Sequence, residues 1–345
     1  MTYVFVFLGE FGYELLNWQG VVRKFSRELG PDDRIIVCSR ANVYPLYETA
    51  HRYFDISDIP AFRTSVACGY FALRPDDLSL NSAGNLTFDR KLRRALEAEI
   101  RARLELPPPP RMGPLARLFG NDTCRFIFSS EKTLLRNCAF GCDRARFGSD
   151  PVEGNIYDRI DLGNNKFQKI EPDLRMRRML EGRLGFSLDE PFVLSQTRRR
   201  QIVVRSSRTV PNEQLLTALA QQIRVVLLEF DTGRTLDSYS QFARIPGTSV
   251  CACRTFVEQT CLIHFSRHCV FFTEGDFGSH IYVPPLVGRD VSVVAPADVY
   301  RLGTTPIDFW NRAVFRFGGQ IVAKIAEDVF ASPERLGSFV GSMSR

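Results

Sequence analysis

The chain has 345 residues, of which 44% are hydrophobic and 24% charged, and its formal net charge is +6. This composition excludes a disordered or fibrous chain, and the length predicts two domains of ordinary size. The sequence has no apolar run of the ~20 residues that cross a bilayer, and its nine cysteines follow no secretory signal. We therefore expect a cytoplasmic protein with reduced thiols, and a basic surface suited to nucleotide, polyanion or nucleic-acid partners.

Strand and helix patterns alternate in the N-terminal part. Residues 3–8 form a short apolar run that predicts a strand, and apolar residues then recur every three or four positions between Leu15 and Leu29. Residues 34–39 predict a second buried strand. This order is typical of a doubly wound α/β domain. Residues 91–106 predict a charged helix that ends at four prolines, and residues 125–129 predict a further strand.

The same alternation returns after Pro191. We predict strands at residues 192–195, 202–205, 224–230, 269–273 and 291–295. We predict helices at residues 211–222, 255–266, 279–286 and 319–330. The pattern indicates a second α/β domain, so we predict an N-terminal domain at 1–170, a C-terminal domain at 171–330 and a C-terminal tail at 331–345.

Two arginines mark a strand-to-helix connection in the second domain. Arg205 and Arg208 precede Pro211, which is suited to the first position of a helix, and Asn212 and Glu213 follow it. Guanidinium groups bind phosphate oxygens bidentately, and the free N–H groups of a helix start add positive potential. The run therefore predicts a diphosphate site, with a solvated basic turn as the alternative.

Glycine-containing loops follow two of the predicted strands. The first, Gly9-Glu10-Phe11-Gly12-Tyr13-Glu14, follows the first strand and offers Glu10 and Glu14 as candidate general bases. The second contains Glu274, Gly275, Asp276, Gly278 and Ser279, and its carboxylates and amides could bind sugar hydroxyls and phosphate. A divalent cation held by Glu274 and Asp276 is the less favoured alternative.

Cysteine and histidine spacing offers only a weak zinc pattern. Cys251 and Cys253 are separated by one residue, and His264 and His268 follow at one helical turn. Structural zinc sites usually separate the cysteines of a pair by two to four residues. We therefore expect no metal site.

The order of motifs in the C-terminal half resembles glycosyltransferase family 61. The motifs are, in chain order, Arg205-x-x-Arg208, Asn212-Glu213, a strand at residues 225–229, the helix start Phe256-Val257-Glu258-Gln259, and Tyr282-Val283-Pro284-Pro285. The resemblance covers about residues 190–296. Where the family has His-Gly-Ala, this chain has Glu274-Gly275-Asp276-Phe277-Gly278, so no role of the family's histidine is carried over.

The resemblance implies an α/β, GT-B-like fold with two doubly wound domains facing a cleft, and a nucleotide-sugar donor held by the second domain. The implied donor-binding residues are Arg205, Arg208, Asn212, Glu258, Glu274, Gly275, Asp276, Gly278 and Ser279. The first domain would then carry the acceptor beside Gly9 and Gly12. Of the two candidate bases, Glu10 is favoured over Glu14, because a loop position is freer to face a cleft.

Together these features predict a metal-independent, inverting hexosyl- or pentosyltransferase of polysaccharide biosynthesis without a tightly bound cofactor. Its acceptor would be a saccharide or glycolipid, met at the inner face of a membrane by peripheral contact. One alternative is a DNA-base glycosyltransferase acting on a hydroxymethylated pyrimidine. Another is a non-catalytic nucleotide- or polyanion-binding protein on the same scaffold.

Overall fold

The chain divides into two compact units, each built on its own parallel sheet. The computed structural model describes residues 1–7, 14–63, 90–107, 123–128, 169–198, 210–230, 242–253, 255–273, 279–302, 311 and 318–344. Of these, the residues up to Phe128 belong to the first unit and those from Lys169 onward to the second. The predicted boundary between residues 170 and 171 stays a prediction.

Within its described residues, the first unit contains four parallel strands in the order β3-β2-β1-β4. The strands are β1 (Thr2–Val6), β2 (Arg34–Ser39), β3 (Arg52–Asp55) and β4 (Cys124–Phe128). The helices are a π-helical turn (Glu14–Trp18) that continues into α1 (Gln19–Ser26), then α2 (Pro60–Arg63) and α3 (Arg90–Arg103). A 3-10 turn (Tyr44–Leu46) lies between β2 and β3. The apolar residues of β1 and β2 are buried in succession, as expected where helices cover both faces of a parallel sheet.

The described part of the second unit contains six parallel strands in the order β10-β9-β8-β5-β6-β7. The strands are β5 (Phe192–Arg198), β6 (Arg224–Phe230), β7 (Thr248–Cys253), β8 (His268–Thr273), β9 (Val291–Ala295) and β10 (Ile321–Ile325). The helices are α4 (Arg177–Leu184), α5 (Asn212–Ala220), α6 (Phe256–Phe265), α7 (Val283–Val287), α8 (Ala297–Leu302), α9 (Ala326–Val329) and α10 (Pro333–Ser344). Two 3-10 turns, Leu174–Met176 and Ser279–Tyr282, precede α4 and α7.

One face of the second sheet forms a core with α5 and α10. Val193 and Leu227 of the sheet, Leu216 of α5, and Phe339 and Val340 of α10 are buried in one cluster. The segment that was predicted as a C-terminal tail is therefore a core helix of this unit.

The prediction of one helix at residues 319–330 was wrong for residues 321–325. Residues 321–325 form β10, which pairs in parallel with β9 from Ile321 opposite Val291 onward, and only α9 after it is helical. A short apolar run fits either element, and here the pairing with β9 decides for the strand. The predicted strand at 202–205 lies outside the described residues.

The other predicted strands and helices within the described residues agree closely with the structure. The predicted strands at 34–39 and 291–295 match β2 and β9, and the predicted helix at 255–266 is α6, whose N-cap Thr255 accepts a hydrogen bond from the backbone of Glu258. Strands β3 and β7 were not predicted. The expected fold class, α/β with two doubly wound parallel-sheet units, is confirmed at the level of each unit.

Candidate functional site

The strand order of the second unit locates its ligand crevice. Counted from β5, the order is 3-2-1-4-5-6, and it reverses between β5 and β8. In open doubly wound sheets, ligands bind outside the carboxyl ends of the strands at this switch point. The two predicted donor-binding segments follow β5 and β8 along the chain. Their residues Arg205, Arg208, Glu274, Gly275, Asp276 and Gly278 lie outside the described residues.

Asn212 is the first residue of α5, where the connection from β5 ends. Its side chain is 6% exposed, and its backbone N–H donates to the carbonyl of Val210 at 2.7 Å. The neighbouring Glu213 is more exposed and pairs with Arg244 at 3.0 Å. Ser279, the last residue of the segment after β8, begins the 3-10 turn that leads into α7. Both residues therefore begin helical segments that follow the two central strands.

Glu258, another predicted donor-binding residue, already has a partner within the second unit. It lies in the first turn of α6 and is 5% exposed. Nη1 of Arg183, on α4, donates to its carboxylate at 3.0 Å. An ionised carboxylate is favourable in the first turn of a helix, and the guanidinium supplies the counter-charge that burial demands. The ion pair gives Glu258 a structural role, and its donor contact stays a prediction.

Two buried glutamines in the second unit have amide atoms without a hydrogen-bond partner among the described residues. The atoms are Oε1 of Gln196, on β5, and Nε2 of Gln259, near the start of α6. Gln196 lies opposite Phe271 of β8 in the register that crosses the switch point. Buried polar atoms are nearly always satisfied by protein, water or ligand. The sequence shows that the apolar part of β5 ends at Leu194 and that Ser195 and Gln196 follow it, but sequence reasoning did not single out Gln196.

In the first unit the strand order reverses between β1 and β4, so the corresponding crevice lies beyond the carboxyl end of β1, after which the predicted Gly9–Glu14 loop follows in the sequence. Gly9, Glu10 and Gly12 belong to that loop and lie outside the described residues. Glu14 is described, and its side chain is fully buried. Its carboxylate accepts hydrogen bonds from Ser39 Oγ, from Arg40 Nε at 2.8 Å and from Tyr47 OH at 2.6 Å. Sequence reasoning missed these three partners.

The environment of Glu14 keeps the neighbouring phenols neutral. Burial raises the pKa of Tyr47 well above its usual value, and the adjacent carboxylate of Glu14 raises it further. The pKa of Tyr53 is raised for the same two reasons, in the same order. Its hydroxyl donates to the backbone carbonyl of Arg40. Both phenols therefore act as hydrogen-bond donors in a closed network around one carboxylate.

The described residues of the weak zinc pattern do not form a group of metal ligands. Cys251 and Cys253 are buried on β7, where a hydrogen bond from Cys253 lowers the pKa of Cys251. His268, at the start of β8, makes a hydrogen bond with Ser292 Oγ at 2.9 Å. Among the described residues, no three His, Cys, Asp or Glu side chains are grouped so that they could hold a metal ion. In the same part of the chain, no helix combines the length and the apolar character needed to span a membrane.

No protein-family model and no curated protein matches the chain, so the likeness to glycosyltransferase family 61 stays a prediction. Among solved structures, the ADP-heptose LPS heptosyltransferase II of E. coli has 12% identity and a TM-score of 0.48, over 100% of this chain and 98% of that chain. The family 9 glycosyl transferase of Veillonella parvula has 9% identity and a TM-score of 0.48, over 94% of this chain and 86% of that chain. The UDP-GlcNAc 2-epimerase of Methanocaldococcus jannaschii has 12% identity and a TM-score of 0.40, over 100% of this chain and 93% of that chain. Similarities at this level do not identify an activity.

Proposed function

We propose that the chain is a glycosyltransferase whose second unit binds a nucleotide-sugar donor and whose first unit binds the acceptor. The observation that carries this proposal is the strand order of the second unit. It brings together β5 and β8, the two strands that lead into the arginine pair and into the Glu274–Ser279 segment. Two phosphate-suited segments thus begin at the same edge of one doubly wound sheet.

On the donor side, positive charge has a direct chemical use. As the sugar leaves the donor, negative charge develops on the departing nucleoside diphosphate. Arg205 and Arg208 would stabilise that charge bidentately, together with the N–H groups at the start of α5 beside Asn212. Glu274 would accept hydrogen bonds from hydroxyls of the ribose or sugar. These cations and amides supply the electrostatic role without a metal ion.

On the acceptor side, a carboxylate would act as general base. The acceptor hydroxyl oxygen attacks the anomeric carbon of the donor sugar and forms the new glycosidic bond. The bond from that carbon to the diphosphate oxygen breaks, and its electron pair leaves with the nucleoside diphosphate. The hydroxyl proton passes to the carboxylate, and attack opposite the leaving group inverts the anomeric centre.

Glu10 is the proposed base, because Glu14 is buried and engaged. A base must come within about 2.6–3.2 Å of the proton it removes. The Glu14 carboxylate is inaccessible and already accepts from three side chains. Glu10 stands in the loop after β1 beside Gly9 and Gly12, which allow close approach of the acceptor.

The proposed acceptor is a hydroxyl of a saccharide or glycolipid. The positive net charge suits an anionic membrane surface or an anionic glycan. Purified protein would be incubated with nucleotide sugars and with candidate saccharides, and release of the nucleoside diphosphate would be followed. Release that requires the saccharide supports this acceptor class. Release that requires hydroxymethylated DNA, together with duplex binding that weakens with salt, would show that the acceptor is DNA and not a saccharide.

The donor site is tested with the double variant Arg205→Ala/Arg208→Ala. We expect this variant to fold and to lose transfer, because the departing diphosphate is no longer neutralised. Arg178→Ala is the matched control, since Arg178 is an exposed arginine of the same unit without a partner among the described residues. Wild-type turnover by the double variant would overturn the donor assignment. Nucleotide-sugar binding without transfer or hydrolysis would instead indicate a non-catalytic binding protein.

A further inference from the structure

The second sheet separates between β5 and β6 near its carboxyl edge. The two strands pair only as far as Ser195 opposite Leu227. Beyond that pair, β5 continues to Arg198 beside β8, and β6 continues to Phe230 beside β7. Within the described residues of these strands, the ladder between β5 and β6 therefore ends before either strand does. This separation leaves an opening between two neighbouring strands, next to the switch point between β5 and β8.

Gln196 is the first residue of β5 beyond the last pair with β6. Val193 belongs to the core shared with α5 and α10, and side chains alternate along a strand, so Gln196 lies on the opposite face of the sheet. Leu227 of β6 belongs to the same core, so Leu228 lies on the face of Gln196. Leu228 is fully buried. The opening is thus flanked by a polar side chain on β5 and an apolar one on β6.

Helix α6 covers this face of the sheet. It connects β7 to β8, which lies beyond β5, and a right-handed crossover in this direction puts it on the side opposite to α5. Its buried residues accordingly lie outside the core that α5 shares with α10. Since α6 follows the carboxyl end of β7, its first turns, which contain Gln259, lie at the carboxyl edge. Gln196 and Gln259 therefore belong to the same edge of the same face.

Each of these two glutamines has an amide atom that lacks a hydrogen-bond partner. Gln196 is 8% exposed and Gln259 is 1% exposed, and neither Oε1 of the first nor Nε2 of the second is paired within the described part of the chain. At the amino edge of the same sheet, the buried Ser266 donates to the carbonyl of Ile263, and Ser292 is paired with His268. A buried polar atom without a partner is costly, and a ligand or a bound water usually supplies the partner.

The unpaired atoms restrict the chemistry of that ligand. Ionised phosphate oxygens only accept hydrogen bonds, so they cannot serve Oε1 of Gln196, which needs a donor. The edge of a nucleobase presents donors and acceptors side by side, and carboxamide side chains are well suited to read such an edge. The flat ring of a base also suits an opening with an apolar wall at Leu228. Rotation about the side-chain bonds of Gln196 can turn its amide into the opening without a change of the backbone.

We infer that Gln196 and Gln259 recognise the nucleobase of the donor at the opening between β5 and β6. This inference rests on the proposed function, since it assigns one part of the nucleotide sugar to these residues. Gln196 accepts a hydrogen bond from the base, and Gln259 donates one to it. The two glutamines thereby select among bases, and they contribute nothing to the binding of the diphosphate.

The test is Gln196→Met, which keeps the length of the side chain and removes both amide atoms. Calorimetry would measure the binding of ADP, UDP, GDP and inorganic pyrophosphate to the wild type, to this variant and to Gln320→Met. Gln320 is the matched control, because it is an exposed glutamine directly before β10, at the amino edge. We expect the preferred nucleoside diphosphate to bind Gln196→Met about five- to tenfold more weakly, as for one lost hydrogen bond. Pyrophosphate should bind as in the wild type, and Gln320→Met should match the wild type throughout.

Three results would overturn the inference. The first is equal affinity of the wild type and Gln196→Met for every nucleoside diphosphate, which would leave a bound water as the partner of the amide. The second is an equal loss of pyrophosphate affinity in the variant, and the third is a wild type that does not distinguish among the bases. Should Gln196→Met show no cooperative urea transition, Gln259→Met decides by the same criteria. A wild type that binds neither nucleotides nor pyrophosphate overturns the proposed function as well, whereas variant affinities at odds with base recognition overturn only this inference.

Discussion

At the residue scale, the buried carboxylates show how the arginine excess is used inside the protein. Glu14 and Glu258 were both predicted as site residues, and each is buried against an arginine from another element, Arg40 and Arg183 respectively. A buried charge is tolerated when it is paired and hydrogen-bonded. Other arginines lie over aromatic rings, such as Arg224 at 4.1 Å from Phe186. Part of the basic composition therefore serves internal packing as well as the proposed phosphate site.

His268 provides a pH test at the same scale. Burial lowers the pKa of His268 below its usual value near 6.5, so the folded protein disfavours the protonated ring. Below about pH 6.5 the unfolded chain binds a proton that the folded chain resists, so stability falls as pH falls through this value. We expect the urea midpoint of the wild type to drop more steeply between pH 7.5 and 5.5 than that of His268→Gln.

The comparison has an internal control. Between pH 7.5 and 9 this histidine is neutral in both states, so the two proteins should show parallel pH dependence there. The pKa of His264 is also lowered, mainly by burial, so His268→Gln should remove only part of the acid dependence. Equal slopes of wild type and variant below pH 6.5 would contradict the prediction.

At the element scale, α10 is an integral part of the second unit. Its residues Leu336, Phe339, Val340 and Met343 are buried in the cluster shared with α5 and the sheet. We predict that Phe339→Ala lowers the free energy of unfolding of the second unit by about 3 kcal/mol, the cost typical of truncating a buried phenylalanine. Chemical denaturation would measure this change. Ser338→Ala, at an exposed position on the same helix, should be nearly neutral, and an equally small effect of Phe339→Ala would disprove the role of α10 in the core.

Local patterns predicted the elements that are long or clearly bounded. The apolar residues 34–39 follow a Gly-Pro-Asp-Asp stop, and α6 begins at a threonine whose side chain caps it, so both were predicted nearly to the residue. Strand β3 was missed because Arg52, Tyr53, Phe54 and Asp55 form neither an apolar run nor an alternating pattern. It becomes a strand through parallel pairing with β2, a contact that periodicity does not reveal.

The candidate site was predictable only in part, for a related reason. Strand ends and the glycines after them are visible in the sequence, so the loop after β1 and the segments after β5 and β8 could be selected. The partners of Glu14 are 25, 26 and 33 residues away, and their convergence depends on the sheet. Sequence reasoning therefore kept Glu14 as a candidate base, and only the fold shows Arg40 and Tyr47 against its carboxylate.

At the scale of the whole molecule, the chain contains two doubly wound sheets whose strand orders each reverse once. When the strands of each sheet are numbered in chain order, the first sheet has the strand order 3-2-1-4. The second sheet, numbered from β5, has the order 3-2-1-4-5-6. The described strands of each unit thus show one switch point, the place where such sheets bind ligands. A reaction between two substrates needs two binding regions, and the chemistry after the central strands differs between them. Carboxylates and glycines follow β1, whereas arginines follow β5.

This division of labour predicts which unit responds to which ligand. A nucleoside diphosphate at 100 times its dissociation constant should stabilise the binding unit by about 2.7 kcal/mol. We expect that stabilisation in the second unit alone, because the proposed phosphate ligands all belong to it. Amide hydrogen exchange read separately for the two units would measure it, with slower exchange in β5, β8 and α5 and no change in β1 and β2. Slower exchange in β1 and β2 instead would assign nucleotide binding to the first unit. Unchanged exchange in both units would contradict the proposal that the chain binds a nucleoside diphosphate.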